Sequence, residues 1–401
     1  MDGGDATRSA DSNRSRASGG GEDLKQFTER VPVTLNDAGD AAGWVSKEIV
    51  DRLWLEADGE LVSQLWVVDV TVRAWGGELR SAGVAGVGTP EPHRMKGYAS
   101  RLMAACERLA AARGYAVCTL FGIPDFYHRF GFATICPEYE IRVSLDALAA
   151  GGRAGSLEDL QPSDWEPITR LCNGAYAGLD GSVVRREGAW RGARQGSDWF
   201  KKPQALVSRD AHGQPAGYAV VDTELTGDCL AVSEAAARDD AAGRALAGGL
   251  AEMARSRGAT GLLACLPSDK GLGPLLTRCG GASVVTRPDN AGYMACIVDL
   301  DAVLGTCTPA LVERSAACHL PLPETLRVRT DIGDGRIALG GQAPPVELSI
   351  DRLGLIQLLF GYKSFNELRD SGNARTHRTS DEVLAALFPR IDGYCFWPDR
   401  Y

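Results

Sequence analysis

The sequence lacks the features that mark several common protein classes. It contains no run of 18 consecutive apolar residues, so no membrane-spanning helix is predicted. Its first 22 residues hold no apolar segment of the kind that a secretory signal requires, which predicts a cytoplasmic location. None of the 11 cysteines forms a C-x-x-C pair, so neither a zinc site nor a dithiol redox motif is indicated. We expect the cysteines to be small buried hydrophobic residues.

Basic residues are too few for a nucleic-acid-binding protein. Lysine and arginine number 43 against 52 acidic residues, and the formal net charge is -9. This charge repels phosphate backbones, so we expect a cationic or neutral small molecule as the partner and no nucleic acid. The remaining composition is that of a globular protein, with 44% hydrophobic and 24% charged residues. A length of 401 residues predicts about two to three domains.

The first part of the chain shows polar, helical and strand patterns in succession. Residues 1–25 are polar and rich in Gly and Ser, so a disordered arm is expected. Val45–Leu55 has apolar residues at helical spacing. Leu61–Arg73 and Leu79–Thr89 are valine-rich and flank Gly76-Gly77, which predicts a β-hairpin.

A strand–helix–strand unit follows this hairpin and recurs later in weaker form. Gly97 opens a helix and Gly114 ends it. The further predicted elements of the two copies are a strand at Tyr115–Gly122, a short helix at Pro124–Phe130, a strand at Cys229–Glu234, a helix at Asp239–Arg257 and a strand at Gly261–Leu266. We interpret the recurrence as a duplicated domain, with chance similarity of two α/β units as the alternative.

The chain after about residue 308 predicts a small α+β domain. Its elements are two strands within Leu326–Leu339 joined at Gly333–Gly335, a strand at Val346–Ile350, and helices at Leu353–Phe360 and Asp381–Leu387.

The turn between the predicted hairpin and the first helix, Val87–Ser100, carries the sharpest local signal. Backbone N–H groups in the first turn of a helix have no partner within the helix, and the helix dipole adds positive potential there. Gly97 lets a phosphate approach the backbone, and Arg94 and Lys96 add positive charge. The pattern indicates a diphosphate-binding turn; a plain strand-to-helix turn with a solvated Arg and Lys is the alternative.

A second signal follows one strand later, and the two together resemble a known family. Arg94-x-x-Gly97-x-Ala99 precedes the aromatic segment Phe126–Phe132 by about 30 residues. In this order the two segments resemble the acetyl-coenzyme A motif and the tyrosine-bearing helix of the GNAT N-acetyltransferases. Within that superfamily the sequence is similar to the Eis-like branch, named for a mycobacterial enhanced intracellular survival acetyltransferase.

The resemblance implies an α/β (α+β) architecture of three domains. These are a catalytic GNAT domain at 26–150, a second and degenerate GNAT domain at 151–305, and an SCP2-like domain, similar to sterol carrier proteins, at 306–401. Tyr293–Leu304 resembles the strand that closes the second domain. The resemblance also implies acetyl-CoA as cosubstrate, no metal and no membrane partner, a small-molecule amine as acceptor, and a homo-oligomer, a hexamer in this branch.

Cofactor contacts can be carried over only at matching positions. The resemblance implies that the strand end at Val87 pairs with the pantetheine amides and that the turn beginning at Met95 holds the pyrophosphate. The implied cofactor-binding residues are Val87, Gly88, Thr89, Arg94, Met95, Lys96, Gly97, Tyr98, Ala99, Ser100, Gly122 and Ile123. Gly88 and Met95 replace bulkier or basic residues common in the family.

Acetyl transfer to an amine requires a proton donor for the departing thiolate and a base for the amine. Tyr127 stands where the family's donor stands, and a phenol matches an alkyl thiolate in basicity; a buried aromatic side chain is the alternative. The adjacent His128 is expected to face elsewhere. By resemblance, the base is the α-carboxylate of Tyr401, which follows the apolar run Cys395–Pro398, and a merely docked tail is the alternative.

The second copy lacks the residues for cofactor binding and proton donation, so we expect a structural role for it. Leu276 occupies the position that matches Tyr127, and no Arg-x-x-Gly-x-Ala opens its helix. Glu234 either lines the acceptor pocket or is a solvated strand end. Two functions from other classes remain open: a non-catalytic module that binds coenzyme A or another metabolite, and a lipid carrier using the C-terminal domain, whose apolar residues are more simply its own core.

Overall fold

The computed structural model describes residues 24–30, 48–151, 155–187, 192–317, 320–376 and 381–401. The first group of elements comprises β1 (Leu24–Arg30), β2 (Glu48–Ala57), β3 (Glu60–Ala74), β4 (Gly77–Gly88), α1 (Tyr98–Ala112), β5 (Val117–Gly122), β6 (Ala133–Thr134), β7 (Glu138–Ser144) and α2 (Leu145–Gly151). The predicted arm at 1–25 lies outside the described residues except for Leu24 and Lys25, which begin β1.

Two further groups complete the described chain. The second comprises β8 (Glu158–Asp159), α3 (Trp165–Ala175), β9 (Pro203–Arg209), β10 (Pro215–Asp222), β11 (Cys229–Ala237), α4 (Asp240–Ser256), β12 (Gly261–Ala264), α5 (Gly273–Arg278), β13 (Ala282–Thr286) and β14 (Gly292–Ile297). The third comprises α6 (Leu300–Ala317), β15 (Thr325–Thr330), β16 (Gly333–Ala338), β17 (Val346–Ile350), α7 (Arg352–Leu359), α8 (Phe365–Asp370), β18 (Ala374–Arg375) and α9 (Asp381–Leu387).

The strands form two seven-stranded sheets and one four-stranded sheet. Their orders are β1-β2-β3-β4-β5-β14-β6, β13-β7-β12-β11-β10-β9-β8 and β16-β15-β17-β18. β14 comes from the second group but lies between β5 and β6, whereas β7 comes from the first group but lies between β12 and β13. The two large sheets therefore exchange a strand, and the expectation that Tyr293–Leu304 closes the second domain is wrong.

The predicted hairpin and helix ends are confirmed. β3 and β4 pair antiparallel with Ala74 opposite Gly77, so the turn residues are Trp75 and Gly76, one position earlier than expected. Both have positive φ, 54° and 72°, as a two-residue hairpin turn of this hand requires. Gly97 and Gly114 flank α1 in the left-handed conformation, with φ of 80° and 71°.

Three local predictions are wrong. The helix expected at Val45–Leu55 is strand β2 over its described part, which pairs with β1 and β3. Burial alternates from Asp51 to Ala57 because successive side chains of a strand point to opposite faces of the sheet. Pro124–Phe130 contains only a 3-10 turn at His128–Phe130. Gly333–Gly335 opens β16, and the turn before it is Asp331-Ile332.

The first sheet packs on both of its faces. Ala82, Val84 and Cys118 face the core beneath α1. On the other face, Val70 and Ala85 join a core that continues into the third group through residues such as Leu326 and Leu358. The apolar residues of the third group therefore share one core with this face of the first sheet, and do not form a core of their own as expected. Among the described residues, no helix has the length and apolar character that crossing a membrane demands.

Candidate active site

The central parallel strands of the first sheet separate at their carboxyl ends. β4 and β5 pair at Ser81–Val117, Ala82–Cys118 and Gly83–Thr119, and the ladder ends there. β4 nevertheless continues to Gly88 and β5 to Gly122. We call the wedge between these two strand ends the first cleft.

One wall of the first cleft is the end of β4, with the predicted residues Val87, Gly88 and Thr89. A bulge places two residues of β4 opposite Leu65, and such a bulge turns backbone groups out of the ladder. The Ser63 hydroxyl donates to the Gly88 carbonyl oxygen at 3.1 Å and lies 3.0 Å from the Thr89 hydroxyl. The strand end is thus held in place from β3.

The turn that follows carries the remaining predicted residues of the β4–α1 connection. Gly97 is the N-cap of α1 and makes no side-chain cap; a Cβ there would meet nothing within 4 Å, so its positive φ is what requires glycine. Met95 also has a positive φ, 63°, and a fully exposed side chain. Arg94 Nε donates to the Thr89 carbonyl oxygen at 3.2 Å, which folds the turn back on the strand end.

The remaining members of this set differ in what they can contribute. Lys96 and Ser100 are exposed, and Ala99 is half-buried. Tyr98 is 3% exposed with its side chain in the core beneath α1, so its contribution to a ligand is confined to the backbone. An α1 N-terminus without a side-chain cap, flanked by Arg94 and Lys96, fits a diphosphate group.

The corresponding helix of the second group is closed to an anion. Asp239 is the N-cap of α4, and its carboxylate accepts a hydrogen bond from the Ala242 N–H at 2.8 Å. That hydrogen bond lowers the pKa of Asp239, so the group is ionised at neutral pH. A carboxylate therefore already caps the N-terminus of α4, where a phosphate would otherwise bind. The structural role expected for the second copy stays a prediction.

Tyr127 lies at the open end of β5, beside Gly122. A Cβ on Gly122 would stand 3.1 Å from Tyr127 Cδ2, so glycine lets the ring approach the strand. The ring packs edge-on against Phe126, Phe130 and Phe132, and burial raises the pKa of its phenol. The phenol is therefore protonated at neutral pH. Ile123, the other predicted residue here, is 62% exposed.

A cavity of about 650 Å³ lies between α1 and the segment containing His128. Its floor includes Val84 and Cys118, and Ser100 lines it from the first turn of α1. Residues of the third group, among them Arg352, close the far side. Ser100 joins the cavity to the α1 N-terminus. Tyr127 does not line the cavity, but its ring contacts the rings of Phe130 and Phe132, which do.

Tyr401 lies at the base of the first cleft, on the face of the sheet away from α1. Its hydroxyl hydrogen-bonds to the hydroxyl of Thr119, which lies 2.7 Å from the Ser81 hydroxyl. A Cβ on Gly83 would stand 2.7 Å from Tyr401 Cζ, so the ring rests on the Gly83 backbone. Burial raises the pKa of the Tyr401 phenol. The docked side chain was one predicted outcome; the catalytic role of the carboxylate stays a prediction.

The predictions for Glu234 are wrong. The residue is fully buried and bonds Arg185, so it is neither a solvated strand end nor a pocket wall. Sequence reasoning missed Arg185, Thr119 and Asp399 altogether. The signal that could have found Asp399 is a charged residue inside an apolar terminal run.

Comparison with known proteins shows which domain family the first sheet resembles. Residues 40–135 match the family model of the acetyltransferase (GNAT) domain. The chain contains a domain that is similar to GNAT acetyltransferase domains. Its match ends at Ile135, just after β6, so it covers the first cleft, the α1 N-terminus and Tyr127.

Similar proteins and solved structures match more of the chain than this domain. An uncharacterized N-acetyltransferase of Streptomyces griseus is 29% identical over 165 residues, which cover 38% of this chain and 40% of that protein. A probable N-acyltransferase from Enterococcus faecalis matches with a TM-score of 0.69 at 15% identity, over 94% of this chain and 100% of the other. Eis1 from Mycobacterium abscessus matches with a TM-score of 0.65 at 17% identity and the same coverage.

Metal chemistry has no obvious site in the described part of the chain. No group of three or more His, Cys, Asp or Glu side chains among those residues is arranged to hold an ion.

Proposed function

We propose that the protein is an acetyl-CoA-dependent N-acetyltransferase acting on a primary amine of a small acceptor. One combination carries this proposal. Within the GNAT-like domain, the α1 N-terminus has no side-chain cap, and the protonated phenol of Tyr127 lies beside the same cleft. Acetyl-CoA supplies an activated acetyl thioester when it binds. The β4 end and the turn from Arg94 to Ser100 bind its pantetheine and diphosphate groups.

Two side-chain roles follow. Tyr127 donates its phenolic proton to the sulfur of the departing coenzyme A thiolate, and its raised pKa keeps that proton in place until then. The α-carboxylate of Tyr401 accepts the proton of the attacking amine, directly or through water. This second role requires that the chain ends at Tyr401, which intact-mass measurement of the native protein tests.

The amine attacks the thioester directly in a ternary complex. A covalent enzyme intermediate needs an ionised nucleophile. Burial raises the pKa of the Cys172 and Cys265 thiols to about 12 and that of Cys136 well above its ordinary value, which disfavours their thiolates. These shifts argue against Cys172, Cys265 and Cys136 as nucleophiles and support direct transfer to the amine.

The finer assignments follow from the Eis-like resemblance and from charge. We propose an Eis-like protein with a degenerate second GNAT unit and an SCP2-like C-terminal domain, located in the cytoplasm and assembled as a homo-oligomer. The net charge of -9 favours a cationic acceptor.

Release of coenzyme A thiol from acetyl-CoA tests the proposal. The protein is assayed with a panel of polyamines, aminoglycosides and lysine peptides, and each acetylated product is identified by its mass. We expect amine-dependent thiol release and N-acetyl products. Acetyl-CoA binding without turnover would favour a non-catalytic binding module, and an apolar ligand that copurifies without acetyl-CoA binding would favour a lipid carrier.

A further inference from the structure

The second sheet contains a cleft that corresponds to the first one. β11 and β12 pair in parallel from Cys229–Gly261 to Val232–Ala264, and β11 then continues to Ala237. We call the opening beyond Val232–Ala264 the second cleft. Glu234 lies in the second cleft, on the face of the sheet opposite α4. A Cβ on Gly217 would face α4, so the neighbouring Tyr218 points to the opposite face, where its hydroxyl hydrogen-bonds Glu234.

Charged side chains occupy the second cleft. Arg185 Nη1 donates to Glu234 Oε1 at 2.8 Å and Arg185 Nη2 to Glu234 Oε2 at 2.5 Å. The same guanidinium donates through Nε and Nη2 to the two carboxylate oxygens of Asp399, each at 3.1 Å. All three side chains are at most 4% exposed. One arginine therefore joins β11 to the end of the chain.

Asp399 belongs to a tail segment, residues 394–401, which contacts both clefts. Phe396 packs on Tyr176 with ring centroids 4.3 Å apart. Arg400 Nη2 donates to Glu138 Oε2 at 2.6 Å, and its guanidinium lies 3.7 Å from the Trp397 ring centroid. Two residues beyond Asp399, Tyr401 reaches the first cleft, so the segment is fixed at the second cleft immediately before it enters the first.

We infer that the second cleft is the anchor of the tail segment, and that Arg185 is a positioning residue that holds Asp399 so that Tyr401 stays at the base of the first cleft. The catalytic consequence rests on the proposed function; the anchoring does not. Loss of Arg185 would leave two buried carboxylates without their shared cation, whereas loss of the Asp399 carboxylate would leave the Arg185–Glu234 pair intact and release the tail from it. The degenerate unit thereby acts on the active one through the tail.

Asp399→Asn tests the anchor, because it keeps the side-chain volume and removes one of the two carboxylates on Arg185. Asp164→Asn is the matched control: Asp164 is a buried carboxylate that accepts from Arg209 Nη1 and Nη2 at 3.0 and 2.9 Å and does not contact the tail. The first readout is hydrogen–deuterium exchange of the peptide covering 394–401, followed by mass spectrometry in the full-length protein. We expect exchange to quicken by about tenfold or more in Asp399→Asn and to stay unchanged in Asp164→Asn.

The second readout connects the anchor to catalysis. With an amine that the wild type acetylates, Asp399→Asn should lower kcat by about tenfold and leave KM for acetyl-CoA within about twofold. In a background with two glycines appended after Tyr401, the same substitution should change kcat no further, because the carboxylate has already been displaced.

The outcomes separate the two proposals. Unchanged exchange of the tail in a folded Asp399→Asn protein would overturn the anchor. Faster exchange with unchanged kcat would uphold the anchor and reject the carboxylate as base. A wild type without thiol release would reject the proposed function, while exchange still decides the anchor. If Asp399→Asn does not fold, Phe396→Leu weakens the same anchor without a change of charge and takes its place.

Discussion

The hydroxyl groups of Thr119 and Tyr401 hydrogen-bond to each other although 282 positions separate them in the chain. Thr119 is the last residue of β5 that pairs with β4, and its hydroxyl also lies 2.7 Å from that of Ser81 on β4. The bond therefore joins the tail segment to both strands where the first cleft begins. The Tyr401 side chain therefore forms the floor of the first cleft.

Gly83→Ala should disturb this floor. The added Cβ would stand 2.7 Å from Tyr401 Cζ and 2.8 Å from Val70 Cγ2, so the Tyr401 ring must move. We expect a loss of about 1–3 kcal/mol in the free energy of unfolding, measured in urea. The control is Gly174→Ala near the end of α3, where the Cβ meets open space and helix propensity predicts a gain of up to about 1 kcal/mol. Equal effects of the two substitutions would refute the close packing.

Arg94→Ala and Lys96→Ala should weaken acetyl-CoA binding. Both side chains are exposed beside the α1 N-terminus, so each adds an attraction to phosphate worth up to about 1 kcal/mol, or about fivefold in Kd. Calorimetric titration measures the Kd, which should rise further with salt because exposed charges are screened. Arg108→Ala, three turns along the same helix, serves as the control. A Kd that none of the three substitutions alters would mean that the diphosphate binds elsewhere.

Asp180→Asn should stabilise the protein more at neutral than at acid pH. Burial raises the pKa of Asp180 from 3.8 to about 6, so the folded state binds the proton more tightly than the unfolded state. The wild type therefore loses stability as pH rises between these values. Asn keeps an acceptor for the Trp75 N–H, which Asp180 Oδ1 binds at 2.8 Å, but does not titrate.

Urea unfolding at about pH 4.5 and pH 7.5 measures this effect. Relative to wild type, Asp180→Asn should gain about 2 kcal/mol more at the higher pH, because the interval from pH 4.5 to the folded-state pKa of about 6 converts to free energy at about 1.36 kcal/mol per unit. A gain that does not change with pH would show that the carboxyl titrates normally in the folded state.

Local features were predictable from sequence because local residues cause them. Gly97 and Gly114 bound α1 through their own left-handed backbone, and the valine-rich strands paired across a two-residue turn. Tyr127 was predicted as the proton donor because its neighbours carry a family motif, and that role stays a prediction. The helix predicted at Val45–Leu55 failed because pairing with β1 and β3 decides that segment's conformation.

Features that depend on distant parts of the chain were not predictable in this way. Nothing in the sequence of β14 indicates that it pairs with β5 rather than with a strand of its own group. In the sequence, Glu234 looks like a polar residue at a strand end. Its neighbourhood in the fold contains Arg185, which lies 49 residues before it in the chain, and Asp399, which lies 165 residues after it. Burial of a charge requires partners, and those partners come from the tertiary fold.

Proton donation by Tyr127 is the central chemical claim, and Tyr127→Phe tests it most directly. The substitution keeps the ring that packs against Phe130 and Phe132 and removes only the hydroxyl. Tyr115→Phe, at a buried ring beside Arg80 outside the cleft, is the matched control. With an amine that the wild type acetylates and saturating acetyl-CoA, kcat for thiol release should fall by about 100-fold in Tyr127→Phe alone, with Kd for acetyl-CoA unchanged. A Tyr127→Phe protein that acetylates the amine at the wild-type rate would contradict the account.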